Sequence, residues 1–196
     1  MEHMRVLPSR RGFGLFMVAI GCLYGGQVPG PGLIAAAQPE WICDFEAYVI
    51  DPDVRGLNVR AEPDGNAKIV LTLPKDAIGT TVHIAGCRGK WVRVDSASAL
   101  NGELPEQVAG WIYASKLGMR TQTTAVRVRR QPKAGSQVVG RVPADSDVVL
   151  LGCREGWVLI QYGKLTGWVP VDDLCGNPVT TCAMAPADAG AMAQSN

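Results

Sequence analysis

The strongest constraint on the fold is a set of short strings that occurs twice. Residues 57–63 read Leu-Asn-Val-Arg-Ala-Glu-Pro and residues 126–132 read Val-Arg-Val-Arg-Arg-Gln-Pro. Leu73-Pro74-Lys75-Asp76 and Val142-Pro143-Ala144-Asp145 lie at the same offset of 69. Gly86-Cys87-Arg88-Gly89-Lys90-Trp91-Val92 aligns with Gly152-Cys153-Arg154-Glu155-Gly156-Trp157-Val158 at 66, and Gly110-Trp111-Ile112 with Gly167-Trp168-Val169 at 57. The falling offset gives the first copy about 3 extra residues near 77–81 and 9 more between Val94 and Gly110, where Ser, Asn, Pro and Gly cluster. Insertions that fall in loops while the apolar strings stay aligned mark a duplicated module.

Each copy reads as short strands. Leu57/Val59 and Val126/Val128 alternate with polar residues, the period of a half-buried strand. Val82-His83-Ile84 and Val148-Val149-Leu150-Leu151 form a second strand, Trp91–Val94 and Trp157–Ile160 a third, and Trp111-Ile112 and Trp168-Val169 a fourth. The third and fourth strands of copy two are joined by a hairpin-sized turn around Gly163. Gly 23 and Pro 13 of 196 residues disfavour a bundle of long helices. An all-β fold of small, partly open barrels is expected.

The ordered strings Leu-Asn-Val-Arg-x-x-Pro, Leu-Pro, Gly-x-Trp-Val-x-Val and Gly-Trp-Ile resemble the bacterial SH3 domain, often called SH3b. The resemblance spans residues 45–175 and implies two tandem small SH3-like β-barrels, residues 42–118 and 119–175, with a tail over 176–196. It further implies extracytoplasmic, non-catalytic modules, several of which target peptidoglycan or its peptide stems. The long insertion of copy one and the Gly-Cys pair of both copies depart from the plainest pattern, and so bear on loop-borne specificity.

Residues 1–37 read as a signal peptide. Arg5, Arg10 and Arg11 precede an uncharged apolar stretch from Gly12 to Gly26, and Ala35-Ala36-Ala37 offers a cleavage site. That stretch is short of the roughly 20 residues that span a bilayer, and Pro29 and Pro31 prevent its extension, so no stable membrane span is expected in the mature chain. Ser9-Arg10-Arg11-Gly12-Phe13 resembles the opening of a twin-arginine signal, with Gly14 where that family prefers Leu, so both export routes stay open. Export to an oxidising periplasmic or cell-envelope compartment makes Cys43, Cys87, Cys153, Cys175 and Cys182 disulfide candidates, an odd set that leaves one thiol over. Proximity along the chain favours Cys43–Cys87, with Cys153 pairing to Cys175 or Cys182 unless those two close their own loop. No Cys-x-x-Cys spacing is present and neither metal nor cofactor is expected.

A formal charge of +1 gives no global pull toward nucleic acid. His83 and Cys87 lie four residues apart, about 13 Å along a strand, which is too far for a dyad; His83 reads as a sheet-surface residue. Glu103 and Glu106 read as solvated loop carboxylates, no phosphate loop or nucleophile elbow occurs, and no catalytic residue is expected. Binding is the better-supported role. With Val92 and Val94 facing a core, Trp91 and Arg93 share the opposite face, and Trp157 matches Trp91 by the repeat. Trp111 and Trp168 fit core and surface equally well. Residues 120–174 carry eight Lys/Arg against five Asp/Glu, whereas 42–119 carry eight against ten. A basic patch beside aromatics suits a carboxylate-bearing peptide or glycan, or docking on the acidic first copy. The expected ligand residues are Trp91, Arg93, Tyr113, Trp157, Arg127, Arg129 and Arg130. Two functions fit this pattern: binding peptidoglycan or its stem peptides in the envelope, or docking on another exported protein. The oligomeric state stays open. N-terminal sequencing of the exported protein should return Gln38; an intact leader in the membrane fraction would contradict the signal-peptide reading.

Overall fold

The computed structural model describes residues 38–74, 79–99, 104, 107–122 and 124–177. The expected signal peptide, Glu103, Glu106, Cys182 and residues 178–196 lie outside the described residues. The described residues form thirteen strands in chain order: β1 Trp41–Val49, β2 Leu57–Arg60, β3 Ile69–Leu73, β4 Thr80–Arg88, β5 Trp91–Ala99, β6 Gly110–Tyr113, β7 Leu117–Thr121, β8 Val126–Arg129, β9 Val138–Val142, β10 Asp147–Arg154, β11 Trp157–Tyr162, β12 Leu165–Pro170 and β13 Leu174–Cys175. Short 3-10 turns at Ala114–Lys116 and Val171–Asp173 are the other regular elements, and no described residue is α-helical. The fold is all-β.

The strands form one antiparallel sheet with a repeated pairing order. The first half runs β7-β1-β4-β5-β6-β2-β3 and the second β13-β7-β10-β11-β12-β8-β9. Each strand of the second series is the counterpart of the one in the same place in the first, so β7 serves in both. The registers repeat as well: Tyr48 opposes Thr81 and Gly118, and Arg120 opposes Asp147 and Cys175.

Period-2 alternation places Val92 and Val94, Val158 and Ile160, Leu57 and Val59, and Val126 and Val128 in a single apolar core that continues from one half into the other. Trp111 joins the buried set, whereas Trp168 stays partly exposed. The glycine before each of these tryptophans is set by close approach. A Cβ on Gly110 would lie 2.7 Å from Arg60 O, and one on Gly167 2.7 Å from Arg129 O. The insertion of copy one is not all loop. Ala97, Ser98 and Ala99 continue β5 against Val82, Thr81 and Thr80 of β4.

The disulfide pattern differs from the expected one. Cys43 bonds to Cys153, and Cys87 is a buried free thiol. Antiparallel register explains why: Cys87 opposes Trp41, two residues from Cys43, so the within-half pair is out of step, and β10 brings Cys153 to Cys43. Cys175 is disulfide-bonded too, and not to Cys153. The halves are therefore not independent modules. Cys87 Sγ accepts a hydrogen bond from Cys153 N–H at 3.1 Å, and burial pushes the Cys87 thiol pKa up. Nearby, Tyr48 donates its hydroxyl between Met119 O at 3.0 Å and Asp147 Oδ1 at 2.8 Å. Burial, then the Asp147 carboxylate, raises the Tyr48 pKa.

The Cys43–Cys153 bond closes a sequence separation of 110 residues. Replacing both cysteines by Ser should cost ~2–5 kcal/mol in denaturant unfolding. Non-reducing peptide mapping should recover the Cys43–Cys153 peptide, with Cys87 alkylated only after unfolding. A Cys43–Cys87 peptide would refute the connectivity.

Candidate functional site

Trp91 and Trp157 open β5 and β11 at the turn after the Gly-Cys-Arg string. Their inward neighbours Val92 and Val158 are fully buried, so the indoles emerge on the other face, each half-buried. Trp91 lies directly across from Tyr113, with ring centroids 5.4 Å apart at an interplanar angle of 78°. This edge-to-face pair is a favourable contact of its own, on the order of 1 kcal/mol beyond area burial. Arg93 shares that face but is already engaged: its Nε donates to Glu40 Oε1 at 2.6 Å and its Nη2 to Ala85 O at 3.3 Å. Arg88 Nη2 donates to the other Glu40 oxygen at 3.2 Å.

In the second half Trp157 faces Pro170 instead of a ring. It lines a concavity of about 150 Å³ with Ile42, Phe45, Val171 and the Cys43–Cys153 pair. Ile42 is 83% exposed there, the most exposed large apolar side chain among the described residues. Sequence reasoning missed Ile42 and Phe45 because β1 precedes the recognisable repeat. Their only signal was an apolar stretch, Trp41-Ile42-Cys43-Asp44-Phe45, ahead of it.

A polar concavity of about 270 Å³ lies past Pro170, lined by Thr124, Arg127, Arg129 and Asp173. The structure thus brings Arg127 and Arg129 together, with Trp157 across Pro170 from them. Arg130 is exposed in the loop after β8, and Trp91, Arg93 and Tyr113 belong to β5 and β6. Arg129 also builds its own loop: Nη1 donates to Ser136 O at 2.9 Å, as Arg60 Nη1 does to Ala67 O at 2.7 Å. Partial desolvation, then the Asp172 charge, raises the Asp173 pKa, and Arg127 and Arg129 oppose that shift. Among the described residues no group of three or more His, Cys, Asp or Glu side chains is arranged to hold a metal.

Residues 124–174 match the bacterial SH3 domain. This bacterial SH3 segment holds β8 to β12, both concavity-lining arginines and Trp157. Over 160 residues the chain is 26% identical to the cell wall-binding protein YwsB of Bacillus subtilis (strain 168), covering 74% of this chain and 85% of that protein. It is 25% identical over 124 residues to the putative N-acetylmuramoyl-L-alanine amidase YrvJ of the same organism, covering 58% of this chain and only 23% of that protein. Among solved structures, the endolysin LysPBC5 CBD aligns at 17% identity and a TM-score of 0.30, covering 72% of this chain and 98% of that one. NlpC1 from Trichomonas vaginalis aligns at 22% and 0.29, covering 74% and 51%.

Outside the bacterial SH3 segment, His83 is more than a surface residue. Its Nδ1 meets Asp95 Oδ1 at 2.7 Å and its Nε2 meets Asp44 Oδ1 at 2.9 Å, linking β4 to β5 and β1. Three residues on three strands left no local signature. The hydrogen bonds to Asp95, then Asp44, raise the His83 pKa. A raised pKa contributes stability that is full below the unfolded value of about 6.5 and is lost as pH climbs through the folded value. His83→Gln should therefore lower the melting temperature near pH 5.5–6 and have little effect near pH 9. Equal effects at both pH values would show that the imidazolium contributes nothing.

Proposed function

We propose that this protein is a non-catalytic, exported cell-envelope protein that binds peptidoglycan or its stem peptides through SH3b-like modules. The observation that carries the reading is the 160-residue similarity to a protein named for cell-wall binding, which extends over 85% of that protein and over more of this chain than the bacterial SH3 segment alone. The geometry supports it. The second half presents a half-buried indole beside an apolar concavity on one side of Pro170 and two arginines on the other. Such a surface suits a wall fragment, which carries sugar rings, short aliphatic side chains and carboxylates together. In this reading the repeat supplies two related surfaces, and the Cys43–Cys153 bond holds them in one body in an oxidising envelope.

The alternative, docking on another exported protein, is favoured by the exposure of Ile42 beside Trp157. Both readings predict an indole anchor, so the test is what it anchors to. The purified protein should sediment with isolated sacculi, and Trp157→Ala should reduce retention about 30-fold, some ~2 kcal/mol, with little change in melting temperature. Trp91→Ala should instead lower the melting temperature, since it removes the ring pair with Tyr113. Failure of the wild-type protein to bind sacculi, with recovery of one exported protein from extracts, would replace the wall reading by the docking one.

A further inference from the structure

The repeat lets each surface position of one half be read against its counterpart in the other, and the outer faces differ. In the first half Asn58 of β2 stands directly across from Thr72 of β3, and Thr72 Oγ1 donates to Asn58 Oδ1 at 3.0 Å. The same place in the second half holds Arg127 of β8 opposite Arg141 of β9. Both are exposed. Like charges directly opposed on a sheet are destabilising, and neither guanidinium makes a hydrogen bond or close ion pair among the described residues. Asp173 lines the polar concavity with Arg127.

The neighbouring aromatic differs in the same sense. Trp111 is buried, with the Arg88 guanidinium over its ring at 5.2 Å. The counterpart of Arg88 is Arg154, which lies over Trp41 of β1 at 3.9 Å instead. Trp168 therefore has no arginine over its ring among the described residues, and it stays partly exposed. It stands across from Arg129 on one side and Leu159 on the other. Since Val126, Val128 and Val142 point into the core, Arg127, Arg129, Arg141 and Trp168 share the outer face. The first half has closed this face on itself, and the second has left it open.

We infer that the outer face of β8, β9 and β12 is a carboxylate-recognition site, with Arg127 and Arg141 as the anion subsite and Trp168 as the platform for the adjoining apolar or sugar part of the ligand. A carboxylate seated between two guanidiniums turns their repulsion into paired charge-assisted hydrogen bonds. Asp173, which lines the polar concavity with Arg127, disfavours a polyphosphate and leaves room for a ligand that carries an ammonium group as well. The inference rests on the wall-binding reading for the source of the ligand, and on the repeat alone for the place.

The test transplants the first half's pair into the second, Arg127→Asn with Arg141→Thr. The melting temperature should hold or rise, because a repulsive pair is removed. Affinity for soluble peptidoglycan fragments with free carboxylates should fall about tenfold, ~1.4 kcal/mol. The same fragments with their carboxylates amidated should bind the wild-type protein no better than the free fragments bind the variant. Citrate, which needs no wall, should raise the wild-type melting temperature more than that of the variant. Equal fragment binding by both proteins, a fall in the variant's melting temperature, or protection by inorganic phosphate in place of citrate would each overturn the site. Sacculi that retain both proteins equally leave wall binding intact and remove the site. A citrate difference without sacculus retention does the reverse.

Discussion

Everything else in this molecule depends on how β7 uses its two edges. Along five residues it meets β1 at Leu117 and Gly118, β10 from Gly118 to Arg120, and β13 at Arg120 and Thr121. One edge closes the first half against β1 and the other opens the second against β10, so the two halves share this strand. Gly118 sits at a close approach: a Cβ there would lie 2.8 Å from both the Tyr48 ring and Ile50. A larger residue there would require the Tyr48 and Ile50 side chains to shift. The Cys43–Cys153 bond and the Tyr48–Asp147 hydrogen bond then tie β1 to β10, on either side of that shared strand.

A duplicated scaffold keeps what the core requires and is free to change what faces water. The inward residues of the two halves correspond almost one for one, as do the Arg60 and Arg129 bonds that brace the loops. The outward residues do not. In the first half Glu40 takes Arg88 and Arg93, Tyr113 takes Trp91, and Thr72 takes Asn58. The second half has Pro170 in place of Tyr113, Leu159 in place of Arg93, and arginines in place of Asn58 and Thr72. Satisfied polar groups and covered rings give rigidity. Open rings, and the Arg127 and Arg141 guanidiniums that have no hydrogen-bond partner among the described residues, give somewhere for a ligand to act, with some loss of stability.

Strands β2, β4, β5 and β6, their counterparts β8, β10, β11 and β12, their inward faces and the outward direction of Trp91 and Trp157 were legible in the sequence, whereas β1, β3, β7, β9 and β13 were not. Period-2 alternation is a local property, and the repeat removed the ambiguity of any single short string. The tryptophans of the Gly-Trp strings could not be told apart in this way. Trp111 and Trp168 occupy the same register, and the placement of Arg88 over one and of Arg154 elsewhere separates them in three dimensions. Ile42, Phe45 and the Asp44–His83–Asp95 link went unseen because β1 has no repeat partner in sequence, although β7 is its partner in space.

The cysteines show most directly where sequence stops. By itself the chain determined that it folds as β-structure built twice, because alternation and duplication act over a few residues at a time and survive in any environment. Which cysteines meet was decided by tertiary structure. A disulfide needs Cα atoms within about 7 Å, and chain proximity favoured Cys43–Cys87, yet the register of β1 on β4 put those two out of step. The shared edge of β7 carried Cys153 to within a Cα separation of 6.5 Å of Cys43, across 110 residues. Pairing at that range arises from how the sheet continues between the halves, and no spacing along the chain encodes it.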